Sequence, residues 1–583
     1  MIRSIPPHST ASVPAKRASN SWVNRGKRTV LWSIGLLAFG FLSGVHHSAA
    51  QCIEPEVEES QLMSTSELQM VSPHEASSRR AGDWQLSEHL EGGLTPTRYL
   101  RSLTLDLLGR LPSSEEISSL QQAHGVIDES LVDTWLASSE FAHQVSRLVR
   151  SQLWNNISNL NLYGNNSGLS RFQEIYWRRN PARFTRGDRV PCLDQPASYD
   201  NQGALLFYEQ EDGTRREGWV WINPYWAPET EVKVCALDAQ INEYSANGNF
   251  CGTNNGMNRP DCGCGEGLKW CITAEVRQEM TRSLASSLDQ LVGSIFESGE
   301  NYLQLFESRR FFINGPLVHF FKHHTQIGRY TLEPSPLPTW QLPDFAFNET
   351  DRWTQLILEG EHSGVLTHPA FLLRFQTNRA RASRFYDTFL CQPFQPPEGG
   401  LPVADEASVR NPDLQERAGC KYCHALLEPA AAFWGRWTEQ GIAYLDVERF
   451  PAERQDCLNC ALGGGNCSAE CRNHYITSTF SEQETPYLGK LKAYSFRRDE
   501  HEINVERGPR LLAYSEITGQ RLPRCVAQRT AEWLLGKEMS DSQVSVRDRE
   551  WLDELGIRFA RSGYQYPSLI KDIITDERYR RVR

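Results

Sequence analysis

The sequence predicts a mainly α fold: a multi-module helical protein interrupted by one Cys-rich, partly β insert. Three observations carry this. Apolar residues recur at helical spacing in several long stretches of the 583-residue chain. The stretch 155–271 abandons that period for Asn, Gly, Trp and Tyr and holds six cysteines. A third stretch, 419–437, sets the pentapeptide Cys-Lys-Tyr-Cys-His in an Ala-rich, helical flank.

Composition bounds the class before any element is placed. Apolar residues make up 39% and charged residues 23%, so several globular domains fit and wholesale disorder does not. The segment before Gln51 holds six basic and no acidic side chains. Without it the chain carries 55 basic against 72 acidic groups, or −17, compared with −11 overall. An acidic body of this kind repels phosphate backbones, which argues against a nucleic-acid partner. Fifteen cysteines point to an oxidising compartment.

The N-terminus agrees. A basic lead precedes the apolar run 30–45, and Ser48 and Ala50 are small residues suited to cleavage after Ala50. Residues 1–50 therefore read as a signal peptide, with an uncleaved anchor as the alternative. The run is 16 residues and holds three glycines, whereas a spanning helix needs about 20 apolar residues. No second such run follows, so no further transmembrane segment is expected. Residues 51–83 are acidic and Ser-rich, an expected flexible spacer.

The body divides by pattern. In 84–154, Leu100, Leu103, Leu107 and Leu108 share one helix face, and Ser113 with Glu116 marks a capped helix start. Leu131, Trp135, Leu136, Phe141 and Val145 continue at helical spacing. In the insert 155–271, GWVWINPYWAP and ETEVKVCAL read as strands. Its cysteines, Cys192, Cys235, Cys251, Cys262, Cys264 and Cys271, suit three disulfides; a metal knot of the last four is the alternative. Trp219, Trp221, Tyr225 and Trp226 suggest either a sugar-stacking face or half-buried core. Helical pattern resumes over 272–331, where His319 and His323 lie four apart, as a metal pair or as packing. A Pro-rich loop and a helical module occupy 332–410, and a C-terminal helical module 501–583.

The segment 411–500 bears the chemistry. Cys420, Cys423 and His424 form C-x-x-C-H, the covalent attachment signature of haem c. Two thiols one helical turn apart can add to two vinyl groups on one side of a porphyrin, and the adjacent imidazole is then the proximal iron ligand. A redox disulfide or half a zinc site are the alternatives; the helical flank is unlike the βαβ setting of a thioredoxin-type centre. Downstream, Cys457, Cys460, Cys467 and Cys471 surround a Gly-rich loop, fitting two disulfides or a four-thiolate zinc site.

With these residues in view, the chain resembles the secreted planctomycete-type cytochrome c modules and their companion domains, found in planctomycetes and myxobacteria. LRSLTLDLLGRLPSSEE at 100–116 is similar to one module's opening, and LFESRRFFINGPLVHFF within 300–321 to a second. GVLTHPAFLLRFQTNRARASRFYDTFLCQPFQPPEGGL at 364–401 resembles a third. The haem motif follows with Glu428-Pro429, and 524–581 resembles the terminal module. The insert has no counterpart there. The resemblance implies a mainly helical haem protein, exported to the periplasm or cell surface of a Gram-negative bacterium. It implies Cys420 and Cys423 as thioether donors and His424 as proximal ligand. It further implies one bridge between modules, Cys391 to Cys525, which leaves Cys52 over. The distal ligand is not given. Met539, the one methionine after the motif, either ligates the iron or fills a gap between helices; His368, His474 and His501 are weaker candidates.

Three functions are expected in turn. The first is electron transfer with a redox partner presenting a basic face. The second is a haem-dependent oxidoreductase on an extracellular, polysaccharide-derived substrate. The third is a disulfide-rich surface binding module with a non-functional haem motif. No paired carboxylates, Ser-His-Asp set or phosphate loop nominates catalytic residues.

Overall fold

The computed structural model describes residues 93–581 except 154–156, 158–159, 165, 180–185, 187–189, 328–329, 395–410, 465 and 541–542. The expected signal peptide, the spacer and Cys52 lie outside the described residues. Helix α1 (Pro96–Leu108) starts with Pro96 in its first turn and Thr95 as its cap, and stops at Gly109, whose φ of 69° only glycine adopts readily. Tyr99, Leu100, Leu103 and Leu107 form its buried face. Helix α2 (Ser114–Gln122) opens with the expected capping box: Ser113 Oγ accepts from the Glu116 amide, and the Glu116 carboxylate accepts from the Ser113 amide. That carboxylate also receives Arg110 and Trp135 Nε1, tying α2 to α3 (Glu129–Leu136). The amphipathic α4 (Ser139–Leu153) completes this group.

The insert is built differently. Strands β1 (Leu169–Phe172), β2 (Ile175–Arg178), β5 (Trp219–Ile222) and β6 (Val232–Cys235) form one sheet in the order β1-β2-β6-β5. β2 and β6 run parallel and the outer pairs antiparallel. A small hairpin, β3 (Tyr208–Glu209) with β4 (Arg215–Arg216), stands apart. Three disulfides hold the insert: Cys192–Cys235, Cys251–Cys262 and Cys264–Cys271. Arg178 and Arg186 close on Asp238 at 2.7 and 2.8 Å, and Arg186 also pairs with Glu217; all four side chains are buried. Burial alone would raise the Asp238 carboxyl, but Arg186 and Arg178 hold it below its ordinary value.

After the insert come α5 (Ala274–Glu297), α6 (Gln304–Glu307), β7 (Arg310–Ile313), α7 (Gly315–His323), β8 (Thr354–Ile357), α8 (Pro369–Arg374) and α9 (Asn378–Phe389). β7 and β8 pair antiparallel. α10 (Lys421–Ala432), α11 (Gln455–Leu462) and α12 (Ala469–His474) lead into the long α13 (Asp499–Thr518). α14 (Arg521–Leu535), α15 (Val546–Arg561), α16 (Tyr566–Ile574) and α17 (Glu577–Arg580) follow. The fold is mainly α, as the periodicities predict.

One apolar core runs from Tyr99 to Tyr579 and draws on every helical stretch that the sequence separates. α5 packs along α4, and α1 meets the last helices of the chain. There the Leu94 amide donates to the Arg580 carbonyl at 2.7 Å, Tyr99 Oη to the Ile574 carbonyl at 2.9 Å, and Tyr579 Oη to Asp106 at 2.8 Å. Cys391–Cys525 joins the end of α9 to α14, closing 134 residues of chain. By chain entropy that is about 5 kcal/mol, against about 2 kcal/mol for a seven-residue loop such as Cys460–Cys467. Among the described residues no helix is long and apolar enough to cross a membrane.

Buried histidines give the core a pH dependence. His324 is fully buried; burial, aided by His323 and opposed by the Lys269 carbonyl, pushes its imidazole down to about 3. The unfolded chain takes up this proton below about pH 6.5 and the native state does not, so stability falls as pH drops from there toward 3. The slope is up to about 1.4 kcal/mol per pH unit for one such site. His324→Phe should remove about one proton's worth of that slope in urea titrations between pH 4.5 and 6.5. An unchanged slope would show that His324 titrates normally.

Candidate functional site

The motif helix is entered through Gly419, whose φ of 80° turns the chain sharply into Cys420. The Cys423 and His424 amides both donate to the Cys420 carbonyl, at 3.2 and 3.0 Å, so the three motif residues lie on one helical turn. Tyr422 and Leu426 are exposed beside them, while Leu427 and Glu428 face inward. Beyond α10, Trp434 and Trp437 are fully buried and anchor its C-terminal end; Trp434 Nε1 donates to the Leu366 carbonyl at 3.0 Å.

Cysteine bookkeeping isolates the motif. Twelve described cysteines form six disulfides, including Cys391–Cys525, Cys457–Cys471 and Cys460–Cys467. Cys420 and Cys423 are the free thiols among the described residues, and both are partly exposed. The two clusters with metal-like ligand spacing, Cys192/Glu217/Cys235 and Asp456/Cys457/Cys471, have their cysteines tied in disulfides.

The imidazole is held by a carboxylate. Glu428, four residues on and therefore on the same face, accepts from His424 Nδ1 at 2.6 Å. Glu428 is only 4% exposed. Arg379 of α9 donates Nε to the same oxygen, and Arg497, just ahead of α13, donates Nη1 to the other oxygen at 2.9 Å and to the Glu428 carbonyl at 2.7 Å. Burial pushes this carboxyl up, yet Arg379 and Arg497 outweigh it and hold Glu428 below its ordinary range. An ionised carboxylate only accepts, so Nδ1 carries a proton, and Nε2 is the ring nitrogen left to face a metal. Two free thiols one turn apart and an imidazole with Nε2 available fit a c-type haem as a donor set.

The neighbouring loop is fixed by Arg381, fully buried on α9. Its guanidinium donates to the carbonyls of Phe375, Thr438 and Gly441 at 2.9, 2.9 and 3.1 Å and to Asn378 at 2.7 Å. Burial pulls Arg381 down to about 9, opposed by Glu439. A cavity of about 520 Å³ is lined by Glu428 and, among others, by Arg379, Gln415, Trp437, Lys492 and Arg497.

Other sequence candidates lie elsewhere. Met539 is 1% exposed in the main core, in the loop after α14; α10 itself packs on α9 and α13. His368 is buried and caps α8, accepting from the Ala370 amide, while His474 packs on Phe450 and His501 lies in α13. His319 stacks on Tyr225 at 3.6 Å and bonds the Lys269 carbonyl through Nε2, with the His323 ring 4.7 Å away. On the insert, Lys233 lies over the Trp219 and Trp221 rings at 4.7 and 5.6 Å. Sequence reading did not connect His424 with Glu428, although their spacing of four carries that signal. Arg379 and Arg497 have no local signal at all.

Protein-family models, curated proteins and solved structures yield no match to this chain.

Met539→Ala should cost about 2–5 kcal/mol in chemical denaturation, the usual loss for a buried Met. A loss below about 1 kcal/mol would show that the side chain does not fill the core.

Proposed function

We propose that this chain is an exported c-type haem protein that carries single electrons in the periplasm or at the cell surface. The observation that carries the reading is the pair Cys420 and Cys423, left unbridged while every other described cysteine is paired, beside an imidazole whose Nδ1 is occupied. Cys420 and Cys423 would hold the haem, each S–H adding across one vinyl group, sulfur to one carbon and hydrogen to the other, with no net change of oxidation state. When bound, the haem supplies a one-electron ferric/ferrous couple. His424 would hold the iron through Nε2, with Glu428 fixing the direction of the ring. The disulfides suit an oxidising compartment. The acidic composition, −11 overall, suits a redox partner with a basic face. The module-by-module resemblance to planctomycete-type cytochrome c proteins, in order along the chain, supports the same reading.

A second reading, a haem-dependent oxidoreductase, is favoured by the cavity of about 520 Å³ that shares Glu428 with the motif helix. Cyanide affinity separates the two: ferric iron that resists cyanide leaves no open position for a substrate.

Produced in a host with c-type maturation machinery, the protein should show a Soret band and retain its haem through denaturing electrophoresis. Cys420→Ser with Cys423→Ser should abolish covalent attachment, and His424→Ala should change the ferric spin state while leaving the thioethers. Colourless wild-type protein would overturn the reading.

A further inference from the structure

The geometry points to Glu428 as the positioning residue that sets the electron affinity of the iron through His424, with Arg379 and Arg497 limiting its pull. This rests on the haem reading above. A hydrogen bond from Nδ1 to a carboxylate makes the opposite nitrogen a stronger donor than a bond to a neutral carbonyl does. A stronger donor favours ferric over ferrous iron and lowers the reduction potential. Glu428 is placed for this: 2.6 Å from Nδ1, 4% exposed, and on the same helix, so the distance is set by the backbone.

The two arginines define how strong the pull is. Arg379 donates to Oε1, the oxygen that also accepts from His424, and so competes directly with the imidazole for electron density. Arg497 grips Oε2 and the Glu428 carbonyl, which keeps the carboxylate from rotating away. The arginines come from elements 118 residues apart in sequence, yet both end on one carboxylate. A carboxylate needed only to close the helix packing would be satisfied by the arginines alone. A bound haem would supply a one-electron couple, and the bond from His424 Nδ1 to Glu428 would set how strongly Nε2 donates.

The test uses full-length holoprotein matured in such a host. Glu428→Gln keeps the size and an acceptor but removes the charge. It should raise the ferrous-to-ferric ratio at fixed ambient potential about tenfold, about 59 mV for one electron, and move the ferric EPR g values. Arg379→Gln frees Oε1 for His424, and should shift the potential the opposite way with g values moving in the opposite sense. The Arg379 side chain is 49% exposed, so this variant tests the idea even where the Glu428→Gln protein fails to load haem. Potentials and g values unchanged in Arg379→Gln, or moved in the same direction by both substitutions, would overturn this inference while leaving the haem reading intact. Wild-type protein without haem would overturn both.

Discussion

A carboxylate taken out of water must be partnered, and Glu428 imposes that constraint on the middle of this structure. At 4% exposure it draws Arg379 from α9 and Arg497 from the approach to α13 onto the motif helix. Three segments far apart in sequence therefore meet at one side chain. Arg381, two residues beyond Arg379, extends the same fixation to the loop after the motif by filling its carbonyls. Within the helix Pro429 has no amide to donate, and the Arg497 bond to the Glu428 carbonyl helps hold the chain where the regular ladder is weakened. The same carboxylate that meets this burial constraint also holds the motif histidine.

The insert meets its own requirements by other means. Its strands are four residues or shorter, and its apolar clusters are small. Covalent closure and a four-member buried ion network replace the side-chain volume that the helical body has in abundance. The same device recurs beside the motif, where Cys457–Cys471 and Cys460–Cys467 clamp α11 to α12 around a third small cluster.

How much of this was legible depended on range. Local signals held: the Ser113–Glu116 box, the leucine face of α1, strands at 219–222 and 232–235, and helices over 274–297 and 315–323 all fall where periodicity and capping put them. The disulfide count was readable because thiols in an oxidising compartment pair off, and six pairs out of fifteen cysteines leave the two of the motif and Cys52. The pairing of Cys391 with Cys525 came from resemblance, not from any local pattern. What could not be read were contacts across the chain. Nothing near Arg379 or Arg497 announces a shared carboxylate, and the helical stretches that look like separate modules give no hint that they bury one continuous core. His319 and His323 show the converse: spacing suited a metal, while a stacked tyrosine and a carbonyl supply the actual neighbours.

The antiparallel bridge between Gly93 and Arg581 brings the start and finish of the described body to one spot. Its path is therefore nearly a closed ring. A short covalent link there, with a new opening cut at an exposed loop, would leave the packing order intact, so permuted forms are accessible to engineering. Tension applied across those two points would load this one bridge before reaching any helix, giving the body a mechanical weak point at its ends.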